Sequence, residues 1–367
     1  MDVTTYEVRG RVKGDAISAA ALADFDLAPG EAGDSDLLIS NLAISPYCID
    51  PARGEIVLVE APADLDLATA PFVYDAQYRH ATRVHTIGID RFMALAADLP
   101  SSARAMFLHS TGRCGSTLLA RAMGGAMGVT MISEPDVFSQ LAMAGRFEDP
   151  SVREQFARLH ASCSKFFMRG RTDLVLFKFR AIVCEHADYL ARSLPGAMSV
   201  FLYRDAIEVA RSYARLTNRP LGDWRLSDGQ IQAWSRFAPI IARLGFPVDG
   251  YDLMAALWAG PILRYLETWP QGVWHGALNY ADLLDRSEAI GRALLGAGRQ
   301  DAGSAGFSVE AFATHSQADS HLAPDRLAPN AVLDAELASP EFARRIAESL
   351  GKIDPRLSSD MMLPGSL

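Results

Sequence analysis

The chain has 367 residues, 49% of them hydrophobic and 22% charged, with a formal net charge of −9. That is ordinary globular composition, long enough for one large α/β domain and a smaller appendage. The negative balance argues against a general nucleic-acid binder, whose phosphate contacts need a basic field. It leaves room for a small anionic ligand held by a few local cations.

In chain order, Met1 to Gly10 lacks a basic stretch followed by an apolar one, so no secretory signal is expected. Tyr6 to Val12 alternates weakly and Glu55 to Glu60 is a short β-branched run, both read as strands. Gly30 to Ser35 reads as a loop, and Ile89 to Ala97 as a helix ending near Pro100. After Ala103 the pattern changes to strands alternating with helices. Strands are expected at Ala105–His109, Leu174–Phe177, Ser199–Tyr203 and Gly272–Leu278. Helices are expected at Ser116–Met127, His186–Leu194, Ile207–Leu216 and Ser287–Leu295. That alternation implies a parallel sheet with crossover helices. Residues 1–100 are therefore taken as an N-terminal mixed α/β region and 101–367 as the main domain. The expected fold is α/β, three-layered, with a central, mostly parallel sheet flanked by helices.

The longest apolar stretches, such as Met254 to Leu263, are too short to span a bilayer, and a soluble cytoplasmic protein is expected. Cys48, Cys114, Cys163 and Cys184 are scattered, which is neither a disulfide framework nor a metal-ligand spacing. The eight histidines form no metal motif, so no metal is expected.

The first chemical signal is Ser110-Thr111-Gly112-Arg113-Cys114-Gly115-Ser116-Thr117, between an apolar strand and a helix. Backbone N–H groups of such a turn, with those of the helix start, make an anion site. Gly112 and Gly115 permit close approach and positive φ, Ser116 and Thr117 offer hydroxyls, and Arg113 adds a planar cation. The nucleotide-triphosphatase pattern G-x-x-x-x-G-K-[ST] is absent, because Ser116 stands where its lysine belongs. The same residues also describe an ordinary strand-to-helix turn with Ser116 as N-cap.

The second signal is Arg204, at the end of the Ser199–Tyr203 strand, with Ser212 eight residues on. Slightly more than two helical turns bring Ser212 to the face of the strand-to-helix junction, where parallel α/β sheets bind ligands. An Arg204–Asp205 surface pair beside a solvated serine fits as well.

Together these elements resemble the sulfotransferase superfamily, whose donor is 3′-phosphoadenosine-5′-phosphosulfate (PAPS). Its loop has the form [KR]-[SC]-G-[ST]-T, here Arg113-Cys114-Gly115-Ser116-Thr117. Its second element is an Arg followed eight residues later by a Ser, both binding the donor's 3′-phosphate, which Arg204 and Ser212 match. The family often has a proline where this chain has Ala206. Ser133-Glu134-Pro135 resembles the tyrosylprotein and some bacterial carbohydrate branches, which implies that Glu134 is the general base. Lys178 matches a lysine that assists the reacting centre in those branches, and Arg113 would share that work. Asn279-Tyr280-Ala281-Asp282-Leu283 is similar to a Tyr-Glu-Asp-Leu segment whose Tyr lies near the adenine. Thr314 to Gln317 resembles weakly a loop that closes over the donor. The resemblance covers about residues 103 to 325.

It implies a P-loop sulfotransferase that moves a sulfonate from PAPS to a hydroxyl or amine. The donor would be held by Gly112, Arg113, Cys114, Gly115, Ser116, Thr117, Arg204, Ser212 and Tyr280, and 3′-phosphoadenosine-5′-phosphate (PAP) would leave. The acceptor, a small molecule or a glycan, is not named by the sequence. The alternatives are an ATP-dependent P-loop phosphotransferase and a non-catalytic nucleotide-binding protein. Pro71 to His80, aromatic and polar together, suits a pocket rim or an amphipathic turn packed on the main domain. His109 reads as a satisfied, partly buried histidine. Trp224, Trp234, Trp258 and Trp274 read as core.

Overall fold

The computed structural model describes residues 3–13, 19–100, 103–126, 128–298, 307–308 and 328–366. The first hundred residues contribute β1 (Val3–Arg11), β2 (Phe25–Leu27), β3 (Glu31–Ala32), α1 (Ser35–Ser40), β4 (Ile44–Asp50), β5 (Glu55–Glu60), α2 (Val73–His80), β6 (Arg83–Gly88) and α3 (Ile89–Ala97). The strands pair antiparallel in the order β2-β1-β6-β5-β4, with β3 added beside β1. Both faces of β5 are covered. Ile56 and Leu58 enter one apolar cluster and Val57 and Val59 another. Side chains alternate faces along a strand, so a strand covered on both sides reads as one unbroken apolar run.

The remainder contributes β7 (Arg104–Ser110), α4 (Ser116–Gly124), β8 (Val129–Ser133), α5 (Asp136–Met143), α6 (Pro150–Met168), β9 (Leu174–Lys178), α7 (Ala187–Ser193), β10 (Met198–Tyr203), α8 (Ala206–Thr217), α9 (Asp228–Ser235), α10 (Gly250–Thr268), β11 (Gly276–Asn279), α11 (Tyr280–Asp285), α12 (Ser287–Gly298), α13 (Ala331–Ala338) and α14 (Pro340–Ile353). The second sheet is parallel throughout, in the order β11-β10-β7-β9-β8. The expected α/β architecture is present: a parallel sheet flanked by helices, with a strand-rich region at the N-terminus.

Register lines up the carboxyl ends of the parallel strands. Ser110 faces Leu202, Lys178 faces Leu108 and Ser133, and Tyr203 faces Asn279. The chain fills one side of β7 with β9 and β8, then crosses to the other side for β10 and β11. β7 is thus the point where strand order reverses, and the crevice beyond its carboxyl end is where open α/β sheets bind ligands.

One apolar cluster joins the two sheets. It takes Val3, Leu38, Ile56, Leu58 and Ile87 from the first hundred residues, and Phe107, Ile132, Phe138 and Phe177 from the rest. α10 is apolar on nearly every side and almost wholly buried, as befits a helix surrounded by others. Among the described residues no helix is long and apolar enough to cross a membrane.

Several boundaries differ from the sequence expectation. α4 ends at Gly124 rather than Met127, because Gly124 and Gly125 are poor helix residues. The expected strand at Gly272 starts only at Gly276, since Trp269–Gln271 forms a 3₁₀ turn closed by Gly272 at φ 71°. The expected loop at Gly30 holds the two-residue β3 and then Asp34, which caps α1.

Candidate active site

The residues after β7 turn sharply. Gly112, Arg113 and Gly115 all have left-handed backbone, at φ 72°, 52° and 85°. Turns of this kind bring successive N–H groups around one concavity. The glycines are required twice over. A Cβ on Gly112 would overlap the Tyr213 hydroxyl, and one on Gly115 would overlap the Tyr280 ring. Arg113 carries a side chain in that region, at a cost of about 1–2 kcal/mol. Gly115 is the N-cap of α4 and provides no side-chain cap, so Ser116 lies inside the first turn and is not the capping residue. The reading of this loop as an ordinary serine-capped turn therefore fails.

Arg113 Nε donates to Ser212 Oγ at 2.9 Å. The Ser212 hydroxyl is thereby tied to the loop, which joins α8 to the turn after β7. Burial lowers the proton affinity of Arg113, opposed by Tyr213 and Glu134, with Arg204 adding to the lowering. The Arg204 guanidinium lies 4.8 Å from the Tyr280 ring centroid and pairs with Glu208 at 3.0 Å. Asp205 accepts from the N–H groups of Ile207 and Glu208 and so caps α8 rather than pairing with Arg204. Tyr280 begins α11 and rests against Gly115.

On the other side of β7 sit Glu134 and Lys178. Glu134 follows β8 with φ 52°, and its N–H donates to the Lys178 carbonyl at 2.7 Å. Its carboxylate accepts from Lys178 Nζ and lies 3.5 Å from Arg180 Nε. The Lys178 side chain is 3% exposed and that of Glu134 17%. Burial pushes the Glu134 carboxyl up, but Lys178 and Arg180 outweigh it, and the group lies below the usual carboxylate range. Glu134 is therefore ionised at neutral pH, as a proton acceptor must be.

The N-terminal region forms one wall here. Phe72 presents its ring 5.6 Å from Lys178 Nζ, and Tyr74 lies 4.2 Å from the Arg180 guanidinium carbon. Ser133 Oγ donates to the Pro71 carbonyl at 2.8 Å. Residues 71–80 thus include α2, with the preceding turn laid against Lys178.

Arg180, Tyr213, Asp136 and Glu208 are missed by motif reasoning. Arg180 had a signal: it stands two residues beyond Lys178, and alternation puts it on the same side of the extended chain. Tyr213 had none, because its role depends on how the loop of residue 112 folds over α8.

His109 is fully buried between Phe179 and Trp274, and neither ring nitrogen has a hydrogen-bond partner among the described residues. It is not the satisfied histidine expected, and burial drives its pKa down to about 3. Cys114 is buried, with Sγ 3.4 Å from the Leu202 carbonyl, and burial pushes its thiol up. Trp224, Trp258 and Trp274 are core residues and Trp234 packs against that core. Thr314–Gln317 lies outside the described residues. Among the described residues no three His, Cys, Asp or Glu groups are placed to hold a metal ion.

No protein-family model matches the chain, and no characterised protein matches it in sequence. Among solved structures, the crystal structure of a sulfotransferase from Alicyclobacillus acidocaldarius is similar at 14% identity and a TM-score of 0.33. That match covers 70% of this chain and 97% of the other.

Proposed function

We propose that the chain is a sulfotransferase that moves a sulfonate group from PAPS to a hydroxyl or amine of a small-molecule or glycan acceptor. The carrying observation is the edge of the parallel sheet. All five strands deliver a residue of the expected set there: the 110–117 loop after β7, Glu134 after β8, Lys178 ending β9, Arg204 after β10 and Tyr280 after β11. Glu134 touches Lys178, Arg113 touches Ser212, and Tyr280 touches both Gly115 and Arg204. Arg113 and Arg204 influence each other electrostatically, as cations gathered for an anion do.

The fit to the donor rests on the loop. Its left-handed turn gathers successive N–H groups around one concavity, and the N-terminus of α4 adds partial positive charge. Gly112 to Thr117 would hold the 5′-phosphate end, Arg204 and Ser212 the 3′-phosphate, and Tyr280 the adenine. The donor supplies an activated sulfonate with a phosphate as leaving group. Sulfonate transfer resembles phosphoryl transfer, where positioning and charge stabilisation supply most of the catalysis. Glu134 takes the proton from the acceptor as its oxygen or nitrogen bonds to sulfur and the bond from sulfur to the bridging oxygen breaks. That role is worth on the order of 10²–10⁴ in rate. Once protonated, Glu134 no longer neutralises Lys178. The ammonium is then free to meet the negative charge growing on the bridging oxygen, with Arg113. Four buried, unbridged cysteines fit a reducing compartment, and we assign the chain to the cytoplasm. We keep the division near residue 100 as the boundary between an acceptor-side layer and the donor-binding domain.

The test compares PAP with ADP by thermal shift on wild type and Arg204→Ala, then screens acceptor classes with labelled donor. PAP is expected to stabilise the wild type more than ADP, and Arg204→Ala to erase the difference. Equal shifts from both nucleotides, unaffected by Arg204→Ala, sink the donor assignment.

A further inference from the structure

The chemistry above leaves Arg180 without a task, although it is bound on three sides. Its side chain is 13% exposed. Nε lies 3.5 Å from Glu134 Oε2, Nη1 lies 3.4 Å from Asp136 Oδ1, and the guanidinium carbon stands 4.2 Å from the Tyr74 ring centroid. Asp136 is fully buried, and its second oxygen accepts from the Ala20 N–H at 2.6 Å. Arg180 is therefore anchored to the N-terminal layer through Tyr74, and through Asp136 to the segment at Ala20. It also faces the base.

That arrangement assigns each oxygen of Glu134 to a different cation: Oε1 to Lys178 and Oε2 to Arg180. The Glu134 backbone is already fixed by its left-handed φ and its bond to the Lys178 carbonyl. Lys178 holds one oxygen of the carboxylate, and a second cation on the second oxygen restrains its rotation. A guanidinium held by an ion pair and a ring is a rigid donor, which a lysine at the same place is not.

We propose that Arg180 is a positioning residue, which with Asp136 and Tyr74 fixes the plane of the Glu134 carboxylate and ties the base to the N-terminal layer. The role in catalysis rests on reading Glu134 as the base; the coupling between the two side chains does not. The ionisable groups facing Glu134 are Lys178, Arg180 and Arg113 on the cationic side, and Tyr74 and Tyr213 on the other. Asp136 balances Arg180 from behind. Removing the Arg180 cation leaves burial less opposed, so Glu134 takes up its proton at higher pH.

The experiment is an NMR pH titration of the full chain labelled with ¹³C at the glutamate carboxyls, the Glu134 signal being identified by its loss in Glu134→Gln. The Glu134 midpoint is expected to rise in Arg180→Met and to fall between those of the mutant and wild type in Arg180→Lys. PAP affinity should stay within about twofold of wild type in both, because none of the contacts described for Arg180 is with a residue assigned to the donor. A midpoint in folded Arg180→Met equal to that of wild type overturns the proposal. If Arg180→Met does not fold, the Arg180 ¹⁵Nε signal of the wild type decides. It should move with the Glu134 midpoint, and a flat signal across that range overturns the coupling. Failure of PAP to bind wild type sinks the donor reading instead and leaves this titration interpretable in the free protein.

Discussion

Replacing Glu134 by Gln leaves the Lys178 ammonium, 3% exposed, facing a neutral amide. Breaking a buried pair from one side costs 3–5 kcal/mol, because the remaining charge is uncompensated. Glu134 is 17% exposed, which puts the expected loss at the lower end, about 3 kcal/mol. Lys178→Met should cost less, about 2 kcal/mol, since Arg180 still stands 3.5 Å from the carboxylate. In the double mutant no charge of the pair is left stranded, and Arg180 keeps Asp136 as its partner. The double mutant is expected to lose no more than about 2 kcal/mol, a coupling near the upper end of what contacting residues show. Urea unfolding followed by tryptophan fluorescence at neutral pH measures all four corners of the cycle.

The cycle has a pH arm whose sign follows from Glu134 itself. Burial raises the carboxyl, Lys178 and Arg180 lower it, and the net effect is a folded value below the unfolded one. Such a group binds its proton less readily in the folded state. Its contribution is present above the ordinary carboxylate range and is lost as the pH falls through the folded value. The coupling energy should therefore shrink on acidification. Two single mutants that each cost less than about 0.5 kcal/mol, and add in the double, would refute the buried pair and with it the protonation-coupled release of Lys178.

Gly115→Ala should lose about 1–2 kcal/mol from its φ of 85° alone, and more from the overlap with Tyr280. PAP binding, read by calorimetry, should weaken with it; unchanged affinity would separate Tyr280 from the donor. His109, His160 and His186 are buried, and burial lowers all three, His109 to about 3 and His186 to about 4. Their folded values lie below the unfolded one near 6.5, so they favour folding above that pH and cost stability as it falls toward 4 and below. His109→Leu removes one of these sites and an unpartnered polar ring, and should gain about 1 kcal/mol at pH 7 and flatten the acid limb of the urea midpoint.

Much of this site is legible in the sequence because each strand ends where its apolar run ends, and the next residue faces the crevice. Glu134, Arg204 and Tyr280 follow that rule, while Lys178 is the last residue of β9 and Arg113 stands three residues beyond β7. Val129–Ser133 is not legible, since Val-Thr-Met-Ile-Ser is too short and mixed to read as a strand before its neighbours are known. α10 hides for the opposite reason: a helix buried on all sides has no polar stripe and therefore no visible period. The Arg113–Ser212 bond spans 99 residues and depends on which way a turn with three left-handed residues, 112, 113 and 115, swings, which spacing does not encode.

Packing tests whether residues 1–100 are separable. Val3, Leu38, Ile44, Ile56, Leu58, Val73, Ile87, Phe92 and Met93 lie in the same apolar cluster as Phe107, Phe138 and Phe177. A buried side chain of this size contributes about 1.5–3 kcal/mol. Half of these contacts, lost from a 101–367 fragment, are of the same order as the 5–15 kcal/mol that holds a typical domain together. Lys165 also donates to the carbonyls of Ala96 and Ala97 at the end of α3, at 3.2 and 3.1 Å, and would lose both. The fragment would carry the donor loop, Glu134, Lys178 and Arg180, yet without Phe72 and Tyr74 beside the cations. It is expected to be insoluble or to show no cooperative thermal transition, while the full chain shows one. A fragment that melts cooperatively and binds PAP would mean the shared core adds little to the main domain. The N-terminal layer would then be an addition to the acceptor side rather than part of what holds the base in place.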